Sequence, residues 1–164
     1  MKQLFIIRHA KSDQRFFGND FERPLNERGV RDAISMSKRL KEKTPGIDAF
    51  VSSPAFRAKK TAEIFAETYG TLTNEITFIS SLYHASVDTI YEEITRFSKK
   101  INAVSVFTHN PGVTFFVNTL ISGIRIDNMP TCAIFGVVIH TTDWTDIVKA
   151  QKEFLFFDYP KLSQ

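Results

Sequence analysis

The chain alternates short, continuous apolar runs with longer stretches in which apolar residues return every three or four positions. Leu4-Phe5-Ile6-Ile7 has no polar face and reads as a strand buried on both sides. A loop rich in Asp, Gly and Asn follows over 11–24. Asn26 can then cap a helix whose stripe is Val30, Ala33, Ile34, Ser37 and Leu40, stopped by Thr44-Pro45-Gly46. Residues 48–52 predict a second strand. Ser53-Pro54 predicts a helix start with Pro54 in the first turn, where its missing N–H costs nothing. The stripe of this helix is Ala58, Thr61, Ala62, Phe65, Ala66 and Tyr69, and Gly70 ends it. Further strands are expected at 76–79 and 103–107. Between them Asp88 is the expected cap of a helix facing inward through Ile90, Tyr91, Ile94 and Phe97. Pro111 opens another helix, with Val113, Phe116, Val117, Leu120 and Ile121 inward and Gly123 closing it. Residues 133–140 and 148–157 read as two late strands that can pair through a turn at 141–146.

This order implies an α/β domain with a largely parallel sheet covered on both faces. Ligands of such sheets sit outside the carboxyl ends of the strands. That rule selects the segments after Ile7, Val51 and Phe107. They read Arg8-His9, then Ser52-Ser53-Pro54-Ala55-Phe56-Arg57, then Thr108-His109-Asn110-Pro111-Gly112. Two arginines and two histidines therefore converge on one edge. Guanidinium forks match phosphate geometry, and helix starts near Pro54 and Pro111 add backbone N–H groups. Singly, Arg57 reads as a solvated helix residue and His109 as a core or loop histidine. Their coincidence at three strand ends makes an anion pocket. His84 and His140 have no such support. Zinc is the rival use of His9 and His109, but no HxH or HExxH spacing is present, and two arginines would oppose a dication.

At 164 residues the chain has the length of one domain, 1–164, with 43% hydrophobic and 24% charged positions, which excludes a disordered or fibrous chain. Cys132 is the single cysteine, so there is no internal disulfide framework. The net charge of +3 is spread thinly, with no basic run or face for nucleic acid. It suits an anionic small substrate or a phosphorylated partner. The apolar run at 4–7 is too short for a signal peptide or a membrane span, which points to a cytoplasmic protein without a membrane partner. Most of the 16 phenylalanines read as core, while Phe16 and Phe17 can either plug the core or line a mouth beside His9.

The segments LFIIRHAKSD (4–13), DFERPLNERG (20–29), SSPAFRAKKTAE (52–63), LYHAS (82–86), THNPGV (108–113) and MPT (129–131) together resemble the histidine phosphatase superfamily, and within it the small SixA-type phosphohistidine phosphatases. The resemblance runs over most of the chain. It implies a three-layer α/β/α, phosphoglycerate-mutase-like sandwich with a mostly parallel sheet. It also implies phosphoryl transfer through a phosphorylated histidine, with no metal or other cofactor. Carried over by position, His9 is the nucleophile, Arg8, Arg57 and His109 complete the catalytic phosphate pocket, and Ser12 touches the same anion. The pattern departs from the family in three places. Residues 81–85 hold no carboxylate where larger relatives carry an acid, with Glu75 and Asp88 only flanking. Ala10 stands where the superfamily usually has Gly, and Cys132 where the subgroup often has Gly. The missing acid favours a phosphoramidate, whose imidazole leaving group is protonated easily, and so favours protein phosphohistidine as substrate. His84 is a weak candidate acid. The alternatives are a phosphatase for small phosphate esters (sugar or nucleotide phosphates) and a non-catalytic phosphate- or phosphoprotein-binding module.

Overall fold

The computed structural model describes residues 1–163; Gln164, the last position of the expected domain, lies outside the described residues. The strands are β1 (Lys2–Arg8), β2 (Ala49–Ser52), β3 (Thr77–Phe78), β4 (Ala103–Thr108), β5 (Ile134–Ile139) and β6 (Lys152–Asp158). The helices are α1 (Glu27–Lys43), α2 (Phe56–Thr68), α3 (Val87–Thr95) and α4 (Gly112–Val117). One sheet runs in the order β3-β2-β4-β1-β5-β6. β3, β2, β4 and β1 pair in parallel, β5 runs antiparallel to β1, and β6 runs antiparallel to β5.

The alternation along β1 shows why both faces are covered. Phe5 and Ile7 pack with Ala33, Met36 and Leu40 of α1 and Ala62 and Phe65 of α2. Leu4 and Ile6 pack with Ile90 and Ile94 of α3 and Val113 and Phe116 of α4. All four residues are fully buried. Successive strand side chains point to opposite faces, so a continuous apolar run can only sit between two helical layers. The result is the expected α/β/α sandwich with a mostly parallel sheet. No helix among the described residues is long and apolar enough to cross a membrane.

Several expected boundaries move. Pro54 precedes α2 instead of opening it: Ala55 holds the N-cap position, with no side-chain bond to the helix. Ser86, not Asp88, caps α3, accepting from the Thr89 N–H at 3.2 Å, and Asp88 sits in the first turn. Serine wins because its short hydroxyl reaches the third amide of the helix. α4 ends at Val117, where the Asn118 side chain accepts from the Ile126 N–H at 2.7 Å and turns the chain before Gly123. β3 shrinks to two residues. Phe5, Phe50, Phe65, Phe107, Phe116 and Phe135 fill the core, whereas Phe17, Phe56, Phe78, Phe115 and Phe154 are exposed.

The loop after β1 is held by a close approach. Asn26 caps α1 by accepting the Gly29 N–H at 2.8 Å, while its own N–H donates to the Lys11 carbonyl at 3.0 Å. A Cβ on Gly29 would lie 2.0 Å from that same carbonyl oxygen. Gly29→Ala should therefore push the loop off α1. We expect a loss of about 2–3 kcal/mol in chemical denaturation.

Candidate active site

The three selected strand ends are neighbours because β2, β4 and β1 lie side by side and run parallel. Arg8 pairs with Thr108, and Ser52 with Phe107. The ladder continues one residue further: the His9 N–H donates to the Thr108 carbonyl at 3.1 Å, and the Ser53 N–H to the Phe107 carbonyl at 3.0 Å. Beyond that, Ala10 N–H donates to Thr61 Oγ1 of α2 at 3.0 Å. From the other side the Cys132 N–H is shared between the carbonyls of Arg8 and His9, at 3.0 Å each. Cys132 has a φ of 62°, the left-handed region in which glycine is at ease. Its side chain is fully buried, and burial pushes the thiol pKa up, so it stays a packed thiol.

Arg8, His9, Ser12, Arg57 and His109 line one cavity of about 430 Å³, together with Lys11, Gln14, Arg23, Asn110 and Thr131. The two histidine rings are neighbours in its lining, with centroids 5.1 Å apart and planes tilted by 50°. Three guanidiniums and one ammonium on a single cavity, with no carboxylate in its lining, make it a site for an anion. Burial, and then the charge of Arg57, lower the pKa of Arg8, the cost of crowding like charges in a partly dry place.

His9 is almost fully buried. Its Nδ1 lies 2.7 Å from the Ala10 carbonyl. A carbonyl only accepts, so Nδ1 carries the proton and Nε2 keeps its lone pair. Burial, then the charges of Arg57, Arg8 and Arg23, outweigh that hydrogen bond and lower the His9 pKa from 6.5 to about 3. His9 is thus a neutral, oriented imidazole with one free nitrogen. The unfolded chain takes up its proton near pH 6.5 and the folded one near 3, so stability falls as pH drops through that window. A ring-nitrogen NMR titration should find His9 neutral from pH 7 to pH 5, and a His9 titration near 6.5 would contradict the buried, neutral state.

His109 Nε2 lies 2.8 Å from Ser53 Oγ, and its Nδ1 is buried without a partner. Burial chiefly, then the positive charges that His9 and Arg57 can carry, lower its pKa, so it too is neutral when the cavity is free. Arg8 Nη1 donates to the Met129 carbonyl at 2.8 Å, and its buried Nε has no partner. Arg57, only 5% exposed, donates from Nη1 to the Asp20 carbonyl at 2.8 Å and from Nη2 to Asp20 Oδ2 at 2.9 Å; its Nε is also unpartnered. Buried polar hydrogens are rarely left unpaired. Arg8 Nε, Arg57 Nε and His109 Nδ1 are the exceptions beside this cavity, each shut off from solvent as well as from a protein partner. Ser12 Oγ accepts from Arg23 Nη1 and from Gln14 Nε2, the latter at 3.1 Å, which leaves its own hydrogen to donate.

The profile of the histidine phosphatase superfamily (branch 1) matches residues 4–82, the part that supplies Arg8, His9, Ser12, Arg23 and Arg57. The chain is similar to the histidine phosphatase superfamily over just under half of its length. An uncharacterized protein of Mycobacterium tuberculosis is 29% identical over 94% of this chain and 100% of its own length. Another, of Mycobacterium leprae, is 30% identical over 66% of each chain. Among solved structures, the protein histidine phosphatase SixA complexed with tungstate superposes with a TM-score of 0.83 at 23% identity, covering 99% of both chains. A structure assigned as SixA from Nakamurella multipartitia gives 0.84 at 21%, covering 98% of this chain and 96% of that one. A mycobacterial glucosyl-3-phosphoglycerate phosphatase gives 0.67 at 14%, covering 97% and 100%. These likenesses identify the fold as phosphoglycerate-mutase-like, of the SixA form.

In this histidine phosphatase fold the two expected helix starts contribute little. α2 begins only at Phe56, and α4 is six residues long. Neither Phe16 nor Phe17 lines the cavity; Phe17 is 98% exposed, and Phe16 lies over Gly18. His84 is exposed but stacks on Tyr83 at 3.9 Å, and the charge it can carry is felt by His109. His140 pairs with Glu153 on the surface. The residues that sequence reasoning missed are Lys11, Gln14, Arg23, Asn110, Thr131 and the Met129 carbonyl, with Asp20 behind the arginines. Their segments, Gln14 aside, carried the resemblance, yet nothing in the pattern marks which of their side chains turn inward.

Proposed function

We propose that the chain is a phosphatase that needs no metal, works through phosphorylated His9, and removes phosphate from protein phosphohistidine. The free Nε2 of a His9 ring held by the Ala10 carbonyl, in a cavity lined by three guanidiniums and one ammonium, carries this reading. Nε2 attacks phosphorus as the bond to the leaving group breaks. Charge spreads over three equatorial oxygens, met by Arg8, Arg57 and the Nδ1 of His109, with Arg23 and Ser12 at the rim. Water then attacks from the opposite side. The P–Nε2 bond breaks, His9 leaves as neutral imidazole with Nδ1–H still on the Ala10 carbonyl, and the water proton goes to the phosphate.

The first step needs no strong acid if the leaving group is itself imidazole, because a proton on its distal nitrogen lets it depart neutral. Asp20, the carboxylate held behind the arginines, is unsuited to donate a proton. The Tyr83 hydroxyl, then Arg23, hold its carboxyl well below the usual range, with Arg57 adding to this. The single buried thiol and the mild charge fit a cytoplasmic protein meeting phosphorylated proteins there.

Small esters form the second reading, favoured by the fold shared with a sugar-phosphoglycerate phosphatase. Measuring kcat/KM on a phosphohistidine-bearing protein beside sugar and nucleotide phosphates decides between them. A preference for the phosphoprotein supports the first. Efficient ester turnover with a slow phosphoprotein reaction supports the second, and phosphate binding without any turnover would leave a binding module.

A further inference from the structure

Asp20 has no role in the chemistry above, yet it is tied to two of the three guanidiniums that line the cavity. It opens a single 3-10 turn, Asp20–Glu22, in the loop after β1, with its side chain about half exposed (48%). It does not itself line the cavity. Arg57 donates to its carbonyl and to Oδ2, at 2.8 and 2.9 Å, and Arg23 Nη2 donates to Oδ1 at 2.8 Å. The Tyr83 hydroxyl donates to Oδ2 at 2.6 Å, and the Tyr83 ring lies 5.9 Å from the Arg57 guanidinium carbon. One carboxylate is thus fixed by a third group and spans two arginines that come from separate elements, the β1–α1 loop and α2.

We propose that Asp20 is a positioning residue, bridging Arg57 and Arg23 from outside the cavity so that their remaining N–H groups are aimed at the phosphoryl oxygens before substrate arrives. The inference rests on reading the cavity as a phosphoryl site. Two guanidiniums on one small cavity repel each other, and a carboxylate between them offsets that repulsion. A guanidinium is a rigid planar fork with five N–H donors. With Nη1 and Nη2 of Arg57 each tied to Asp20 by one bond, the plane cannot rotate, and the buried, unpartnered Nε is held in one direction. Donors fixed in advance cost no reorganisation when charge develops on the phosphoryl group.

Asp20→Ala and Asp20→Asn separate positioning from bulk charge. Both remove the negative charge, but the asparagine carbonyl can still accept from Arg57 and Tyr83. We expect Asp20→Ala to lower kcat by about 10–100-fold with KM within about threefold of the wild type, and Asp20→Asn to recover most of that loss. Wild-type kcat in Asp20→Ala, equal losses in the two variants, or a loss carried by KM alone would overturn the proposal. A second readout is independent of turnover: the ¹⁵N relaxation of the Arg57 Nε–H group. It should report a rigid side chain in the wild type and Asp20→Asn, and a mobile one in Asp20→Ala. An Arg57 equally rigid in Asp20→Ala would refute the bridge even for a protein that proved to be no phosphatase. A wild-type protein that turned over no phosphorylated substrate would count against the functional reading alone.

Discussion

Replacing His9 by alanine is expected to abolish turnover, with kcat reduced by at least about 10³-fold. The ring presents Nε2 with Nδ1 tied to the Ala10 carbonyl, whereas the neighbouring His109 holds Nε2 against Ser53 Oγ and has its Nδ1 buried without a partner. No nearby cysteine can replace it, because Cys132 is fully buried with its thiol pKa raised. The fold should survive. The backbone of residues 8–10 is held by Ala133, Thr108, Thr61 and Cys132, none of which needs the imidazole. Circular dichroism of the variant should therefore match the wild type while phosphate release falls to background. A His9→Ala protein with wild-type kcat would exclude His9 as the nucleophile.

The second large effect is expected at Arg57. Its replacement by alanine should lower kcat by about 10²–10³-fold, or about 3–4 kcal/mol of transition-state stabilisation. Arg57→Lys should rescue little. A single ammonium cannot hold the Asp20 carbonyl and carboxylate while presenting a second edge to phosphate, which the guanidinium does through Nη1, Nη2 and the free Nε. Steady-state kinetics on one substrate for wild type, Arg57→Ala and Arg57→Lys checks both. An Arg57→Lys variant within about threefold of the wild type would show that charge alone matters there.

The layered fold was legible because its signal is periodic. The unbroken apolar run at 4–7 could only lie between two layers, and the stripes of α1 and α2 returned at helical spacing. What failed was local competition between neighbours. Ser86 and Asp88 are both good caps two residues apart, and Ser86 takes the position with its hydroxyl on the Thr89 N–H. Pro54 is compatible with a helix start but equally with the turn before one. The α4 stripe continued in sequence to Ile121, but the chain turns at Asn118 because that side chain closes a loop with Ile126.

The site was legible to the depth that strand ends allow. β2, β4 and β1 being adjacent brings Arg8, His9, Arg57 and His109 to one cavity, and the rule on carboxyl ends needs no more than the order of elements. The layer behind them was not legible. Arg8 is held by a carbonyl 121 residues away, and Arg57 by a carboxylate 37 residues earlier in a loop without periodic pattern. Partnerships of that kind depend on where a loop folds back. The segment DFERPLNERG yielded only its helix cap to sequence reasoning, yet it places Arg23 on the cavity and Asp20 behind it.

Phosphate is expected to pass through covalent attachment to His9. Rapid quenching of the protein with ³²P-labelled substrate, followed by peptide mapping, tests it directly. The label should be lost in acid and stable in alkali, located on the peptide that carries His9 and absent from His9→Ala. Full turnover with no label on the chain at any quench time, or label confined to another residue, would contradict it.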